Sequence, residues 1–344
     1  MKIRILPRST RSFTEDEDCR IKTPWYSKLS NGQQYSVVMF LLYLFLALTV
    51  SAQTLPARYA VIPDNPRPGE PVTIGISANA GAKSAALLVE GKRLARAAFF
   101  LIPAESAADG EKRSFMAAVF AVPATAKPGS AVIVVETAAG NLGEIAITIA
   151  GREFVSEVIE LNPTLTGIRT EPDPKKTAEA EHLWSILNRT GADSYHFGAF
   201  NPPVISTRRT SFFGDRRVYQ YSNGKSDISI HAGIDYGVPT GTQVTACAQG
   251  KVVLARNRIV TGNSVIIEHL PGVYSLYYHL DKIEVAEGAV VNSGALIGLS
   301  GATGLATGPH LHWEIRVSGE NTDPDAFIAR PILDKDAILS KMYP

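Results

Sequence analysis

The sequence predicts a mainly β protein, with an N-terminal sandwich and a C-terminal antiparallel β domain joined by a short helical connector. Three observations carry this. Short segments in both halves alternate apolar and polar residues with period two. Turn residues (Gly, Pro and Asn) punctuate them at short intervals. The clearest helical signature in the chain lies between the two halves. With 344 residues, two or three domains are expected, and 45% hydrophobic against 19% charged residues is an ordinary globular balance. A net charge of +1 with no long Lys/Arg run gives no nucleic-acid signal.

The N-terminal half begins with a leader. Residues 37–50 read VVMFLLYLFLALTV, fourteen residues without a charge. That is short of the roughly 20 apolar residues of a membrane span. Val50-Ser51-Ala52 has the small residues of a signal cleavage site. Lys2, Arg4, Arg8, Arg11, Arg20, Lys22 and Lys28 outnumber Glu15, Asp16, Glu17 and Asp18 ahead of it, the sign of a cytoplasmic flank. Residues 1–52 are therefore expected to act as a flank with a signal peptide or membrane anchor at 37–52. The chain is expected to be exported to the periplasm or cell envelope, with membrane contact through this segment only.

Residues 56–155 follow as an immunoglobulin-like β domain. Pro66-Arg67-Pro68-Gly69-Glu70-Pro71 is a turn-rich entry, and VTIGIS at 72–77 alternates with period two. Similar runs stand at 85–89, 115–122, 131–137 and 144–149, with turns at Lys127-Pro128-Gly129 and Gly140-Asn141-Leu142-Gly143. This part holds no polar cluster suited to chemistry and is read as a spacer, or as a docking module for a cell-envelope protein. Residues 156–210 form the connector. One helix is expected from Pro174 to Asn188, with Asp173 as N-cap, Pro174 at the first helical position and Gly191 beyond its end. Residues 211–328 form the second β domain and 329–344 a tail. Its strands are expected at 243–246, 251–256, 264–269, 274–279 and 310–317, between glycine turns.

Three motifs in this domain carry the chemistry. In His231-Ala-Gly-Ile-Asp235, strand alternation places His231, Gly233 and Asp235 on one face, and Gly233 leaves room for a close approach. A His nitrogen and a carboxylate are zinc donors. In His310-Leu311-His312 the same alternation pairs two imidazoles, which are costly to bury unless they meet a metal, a charge or a hydrogen-bond partner. Tyr277-Tyr278-His279-Leu280 is the third motif, with His279 expected at a strand end. Hydrolytic zinc takes three protein ligands and keeps a fourth position for water. His231, Asp235 and one histidine of the 310/312 pair make three, leaving the other and His279 free to move protons. His269 is read as structural, as is Cys247; with Cys19 it completes the two cysteines, and neither lies in a CxxC pair.

The order HAGIDYG, GNSVIIEHLPGVYSLYYHL, GLSGATGLATGPHLHWE closely resembles the lysostaphin-type (LytM-like) zinc metallopeptidases. The resemblance runs from about Thr210 to Phe327, with SFFGDRR at its start and Asp323-Pro324 at its end. It implies a lysostaphin-like fold, one Zn2+ on His231, Asp235 and His312, and His279 and His310 as the unligated catalytic histidines. It also implies an endopeptidase acting on peptidoglycan stem peptides or cross-links. The alternative is a non-catalytic regulator that binds and activates another wall hydrolase, as in relatives that have lost ligands; no ligand is missing here.

Overall fold

The computed structural model describes residues 58–106, 110–189, 191 and 193–344. The expected leader or anchor at 1–52 lies outside these residues. Among the described residues, no helix is long and apolar enough to cross a membrane.

The chain is mostly β. It opens with β1 (Tyr59–Ile62), β2 (Pro71–Ser77), β3 (Ala82–Val89), β4 (Lys92–Ala98), β5 (Phe100–Ser106), β6 (Lys112–Ala121), β7 (Gly129–Thr137) and β8 (Gly140–Ile149). They form two four-stranded antiparallel sheets, ordered β1-β2-β6-β5 and β4-β3-β7-β8. Val72, Ile74 and Ile76 of one sheet meet Leu87, Ile133 and Val135 of the other in a closed apolar core. β1, β4 and β5 carry weak local signals. β1 has four residues, β5 contains Pro103 and shifts register between Ile102 and Glu105, and β4 buries only Ala95 and Ala97, too small to mark an apolar face.

The connector holds more structure than the single expected helix. β9 (Ser156–Glu160) leads into α1 (Pro163–Thr170), and then α2 (Pro174–Leu187) forms where one helix was expected. Asn162 caps α1, its Oδ1 accepting from the Leu165 N–H at 2.9 Å, with Pro163 in the first turn. Gly167 and the shortness of α1 hide its period in the sequence.

Then come β10 (Arg209–Ser211), β11 (Arg216–Gln220), β12 (Ser226–Ile230), β13 (Gly233–Tyr236), β14 (Gln243–Thr245), β15 (Gly250–Arg258) and β16 (Gly262–Leu270). β17 (Val273–Ile283), β18 (Val290–Val291), β19 (Leu296–Ser300), β20 (Leu311–Val317) and β21 (Glu320–Thr322) complete the strands, followed by α3 (Pro324–Ala329) and α4 (Lys335–Met342). The main sheet runs β10-β13-β20-β17-β16-β15-β18, with β14 and β19 paired beside it. β11 and β12 form a hairpin outside that sheet, and β9 pairs parallel to β11. A pairing across some sixty residues leaves no local trace, so the sequence of β9 reads as linker.

The sandwich and the C-terminal domain share a core. Phe115, Ala117, Val119 and Ala121 of β6 face Trp313, Ile315 and Val317 of the C-terminal domain, whereas Ala118, Phe120 and Val122 face the sandwich interior. A strand buried on both faces reads as one continuous apolar run, as FMAAVFAV does. The tail is also structural. Ile338 and Met342 of α4 join this core, Thr73 Oγ1 donates to the Ile332 carbonyl at 2.9 Å, and Lys341 pairs with Asp64 at 2.6 Å.

His231 does not lie on the strand that carries Asp235. It sits at the corner between β12 and β13. On a straight strand, residues four apart would stand about 13 Å from each other; this corner brings His231 Nε2 to 3.2 Å from Asp235 Oδ1. Gly233 has a different use from the one expected. A Cβ there would stand 2.2 Å from the Trp313 carbonyl oxygen and 2.9 Å from Glu314 Cα, so it is the neighbouring strand that comes close. Gly233→Ala must therefore part β13 from β20. It should cost about 1–3 kcal/mol in urea unfolding and weaken metal uptake; unaltered values for both would contradict this packing.

Candidate active site

Register across the sheet brings the site together. Asp235 of β13 lies opposite His312 of β20, which lies opposite Tyr278 of β17. Directly paired side chains on one face stand about 4.5–5.5 Å apart at Cβ, within reach of shared donors. His312 Nδ1 is 2.8 Å from Asp235 Oδ1 and 3.0 Å from His231 Nε2. The Tyr278 ring stacks on His312 at 5.5 Å, with 5° between the planes.

The SFFGDRR segment holds His231 in place. Its backbone N–H donates to the Asp215 carbonyl at 2.9 Å, its carbonyl accepts from Gly214 at 2.8 Å, and its Nδ1–H donates to the Phe212 carbonyl at 2.7 Å. Asp215 shapes that turn, with Oδ2 accepting from Ser211 Oγ and from the Phe212 N–H. Gly214 has φ +84°, and a Cβ there would strike the Phe154 ring at 2.0 Å. With Nδ1–H engaged, His231 turns a bare Nε2 inward.

The donor atoms of His231, Asp235 and His312 all lie within 4.8 Å of one another and are buried. This set fits a divalent ion, because lone pairs of Nε2 and Oδ1 face each other at 3.2 Å and repel unless a cation or proton lies between them. A tetrahedral ion with bonds of about 2.0–2.1 Å spaces its ligands by about 3.3 Å, close to the separations present. Burial opposes charge on His312, yet its hydrogen bonds to the Asp235 and Glu314 carboxylates outweigh it and push its pKa up to about 9. Burial likewise opposes charge on Asp235, but its interactions with the His231 and His312 rings hold it well below its ordinary value.

His279 and His310 stand beside the three. Their rings are 4.8 Å apart, and His310 Nε2 is 3.9 Å from Asp235 Oδ1. His279 Nδ1–H donates to the Thr303 carbonyl at 2.7 Å and His310 Nδ1–H to the Gly308 carbonyl at 2.8 Å, so each presents an uncommitted Nε2. His279 lies within β17, not at a strand end, at the residue where pairing passes from β20 to β19. Its φ of +61° is sparsely populated for a residue with a side chain and marks a constrained position. Burial, with the neighbouring His310 and His312, pushes its pKa down to about 3, keeping the ring neutral.

Residues 229–324 match the model of Peptidase family M23. The chain carries an M23 peptidase domain. It is 41% identical over 128 residues to the DD-carboxypeptidase/endopeptidase Mpg of Neisseria meningitidis, across 37% of this chain and 29% of that protein. It is 34% identical over 172 residues to the peptidoglycan DD-endopeptidase ShyA of Vibrio cholerae, across 50% of this chain and 39% of that protein. The chain thus spans well under half the length of these curated relatives. A Pseudomonas aeruginosa protein solved as a candidate M23 peptidase superposes with a TM-score of 0.51 at 26% identity, over 76% of this chain and 94% of that one.

Three residues that support the site, Glu314, Arg316 and Arg217, have no role assigned by the sequence motifs. Glu314, buried, accepts from His312 Nε2–H at 3.4 Å and is itself paired with Arg316. His312, Glu314 and Arg316 follow the same two-residue alternation that paired the histidines, so the signal was present. Arg217 bridges Asp235 Oδ2 at 2.6 Å and Glu157 of β9 at 2.5 Å. That link depends on the nonlocal β9–β11 pairing and had no sequence signature. His269 and Cys247 lie elsewhere, fully buried. His269 bonds the Gln249 carbonyl and Ser275, and burial pushes the Cys247 thiol up to about 12. His182 is exposed on α2, and His196 contacts the Ala199 carbonyl.

Glu314 fixes the tautomer and orientation of His312 from behind. Partners of this kind change metal affinity by about 10–100-fold when lost. Glu314→Gln, nearly isosteric, should weaken metal binding within that range in competition with a chromogenic chelator, with an unchanged circular dichroism spectrum. Wild-type affinity in that variant would show that Glu314 does not position the ligand.

Proposed function

We propose that the chain is a zinc metalloendopeptidase that hydrolyses peptide bonds in peptidoglycan stem peptides or their cross-links. The observation that carries this is the division of the five polar residues. Three converge on one point within 4.8 Å, and two histidines beside them keep free nitrogens. The M23 match and the curated relatives named as peptidoglycan DD-endopeptidases support the substrate class. We further propose, from the apolar run at 37–50 and a substrate outside the cytoplasm, that the chain is exported.

His231, Asp235 and His312 would hold the ion. When bound, it supplies Lewis acidity toward the scissile carbonyl and lowers the pKa of a water. The residues do the rest. Arg217 occupies Oδ2 of Asp235, leaving Oδ1 as the donor. Glu314 anchors the far side of His312. A neutral histidine with Nδ1–H tied to a carbonyl offers Nε2 as an acceptor, so either His279 or His310 can take the proton of the attacking water. As the water oxygen forms the new C–O bond and the C–N bond breaks, that proton passes to the leaving amine. The second histidine hydrogen-bonds the reacting group once it carries a proton. In a DD bond, the kind named for these relatives, the leaving nitrogen sits on a D-configured carbon, which bears a carboxylate of its own where the chain ends.

His231→Ala should lose both metal and hydrolysis. His279→Ala and His310→Ala should each keep one metal per chain while kcat falls by about 10²–10⁴. Metal analysis and zymography on purified peptidoglycan measure both quantities. Hydrolysis that survives in all three variants, or that a chelator leaves untouched, contradicts the proposal.

A further inference from the structure

The cleft over the metal cluster, of about 230 Å³, has a second wall built by the connector. Ile159 of β9, Leu161 and Arg169 of α1, and Arg217 and Tyr219 of β11 line it together with His231, Asp235, His279, His310 and His312. Its lining charges are two arginines and one carboxylate, and that carboxylate belongs to the ligand set. Each arginine is paired with a carboxylate, and a bound divalent ion would add two positive charges to this balanced set, so the loaded cleft favours an anionic group on whatever enters.

The two arginines are not equivalent. Arg217 is committed, its guanidinium held between Asp235 and Glu157. Arg169 Cζ lies over the Tyr219 ring, 3.8 Å from its centre, and the guanidinium donates to both oxygens of Asp227, at 2.9 and 3.2 Å from Nη2, and to Tyr221 Oη at 3.2 Å from Nε. Asp227 is 47% exposed. Water screens this pair through its exposed partner, but Nε and Nη2 grip both oxygens of Asp227, so a ligand carboxylate either displaces Asp227 or takes the remaining Nη1 side of the guanidinium. Stacking on Tyr219 fixes the plane of the guanidinium, and a fixed planar fork matches a carboxylate with two parallel hydrogen bonds. Tyr219 and Arg217 are two residues apart on one face of β11, about 7 Å, which places the Arg169 head a short way along the cleft from Asp235.

We infer that Arg169 is a specificity-determining residue that binds the free carboxylate carried by the leaving residue of the substrate. This rests on the peptidoglycan reading above and deepens it. The carboxyl carbon of such a residue is two bonds from the scissile nitrogen, so a cation beside the metal cluster can reach it. The wall segment 156–210 thereby becomes part of substrate recognition, although its sequence reads as a linker.

The test uses the full chain, loaded with zinc, and two cross-linked muropeptide dimers that differ at one group. One keeps the free carboxylate on the leaving residue; in the other it is a carboxamide. Wild type should prefer the carboxylate dimer by roughly tenfold to a hundredfold in kcat/KM, the range for a hydrogen bond to a charged group. Arg169→Gln should bring that ratio close to one, mainly by raising KM for the carboxylate dimer, and Arg169→Lys should keep an intermediate ratio. Zinc content and melting temperature show whether the variants remain folded. Equal rates of wild type on the two dimers, or an undiminished ratio in Arg169→Gln, overturn the inference while the hydrolase reading stands. Wild type inert on both dimers overturns that reading, and the inference with it.

Discussion

The convergence of His231 and His312 on a single carboxylate oxygen, Asp235 Oδ1, is the interaction on which the rest of the site depends. Both distances, 3.2 and 2.8 Å, are those of buried donors that need a cation or proton among them. Neither is set by neighbours in sequence. One follows from the β13–β20 register, which lays Asp235 across from His312. The other follows from a chain corner held by the Phe212, Gly214 and Asp215 turn. The close approach of Gly233 to the Trp313 carbonyl keeps these two strands near enough for the first.

Around this point each of the three side chains is held from outside. Glu314 and its partner Arg316 back His312, Arg217 and Glu157 back Asp235, and the Phe212 carbonyl backs His231. Buried charges are tolerated here because each has a partner; an unpaired one would cost several kcal/mol. The scaffold below is correspondingly stiff. Trp313, between His312 and Glu314 on the opposite face of β20, is fully buried in a core to which the sandwich contributes β6 and the tail contributes α4. The N-terminal domain thus supports the strand that carries two of the site's residues and is more than a spacer.

Much of this was legible in the sequence, for a physical reason. His310, Leu311 and His312 alternate as a strand requires, and the structure turns both rings toward Asp235 and buries Leu311 on the other side. The helix at Pro174–Leu187 was marked by its cap and its proline. Alternation along a single strand was the wrong explanation for His231 and Asp235, because their meeting needs a bend that period-two patterning does not encode. The remainder was hidden by distance along the chain. β9 pairs with β11 across the whole connector, so Glu157 and Arg169 gave no sign that they approach the cleft. Glu314 was visible in principle, two residues past His312, but one acidic residue beside a tryptophan has no signature until its partner is placed.

The most direct measurement is an anomalous difference map at the zinc edge from crystals of the zinc-loaded protein. It should show one ion bonded at about 2.0–2.2 Å to His231 Nε2, one oxygen of Asp235 and His312 Nδ1, with His279 and His310 outside bonding distance. An ion that takes His310 in place of His312, or that binds away from Asp235, would contradict the division of roles among these five residues.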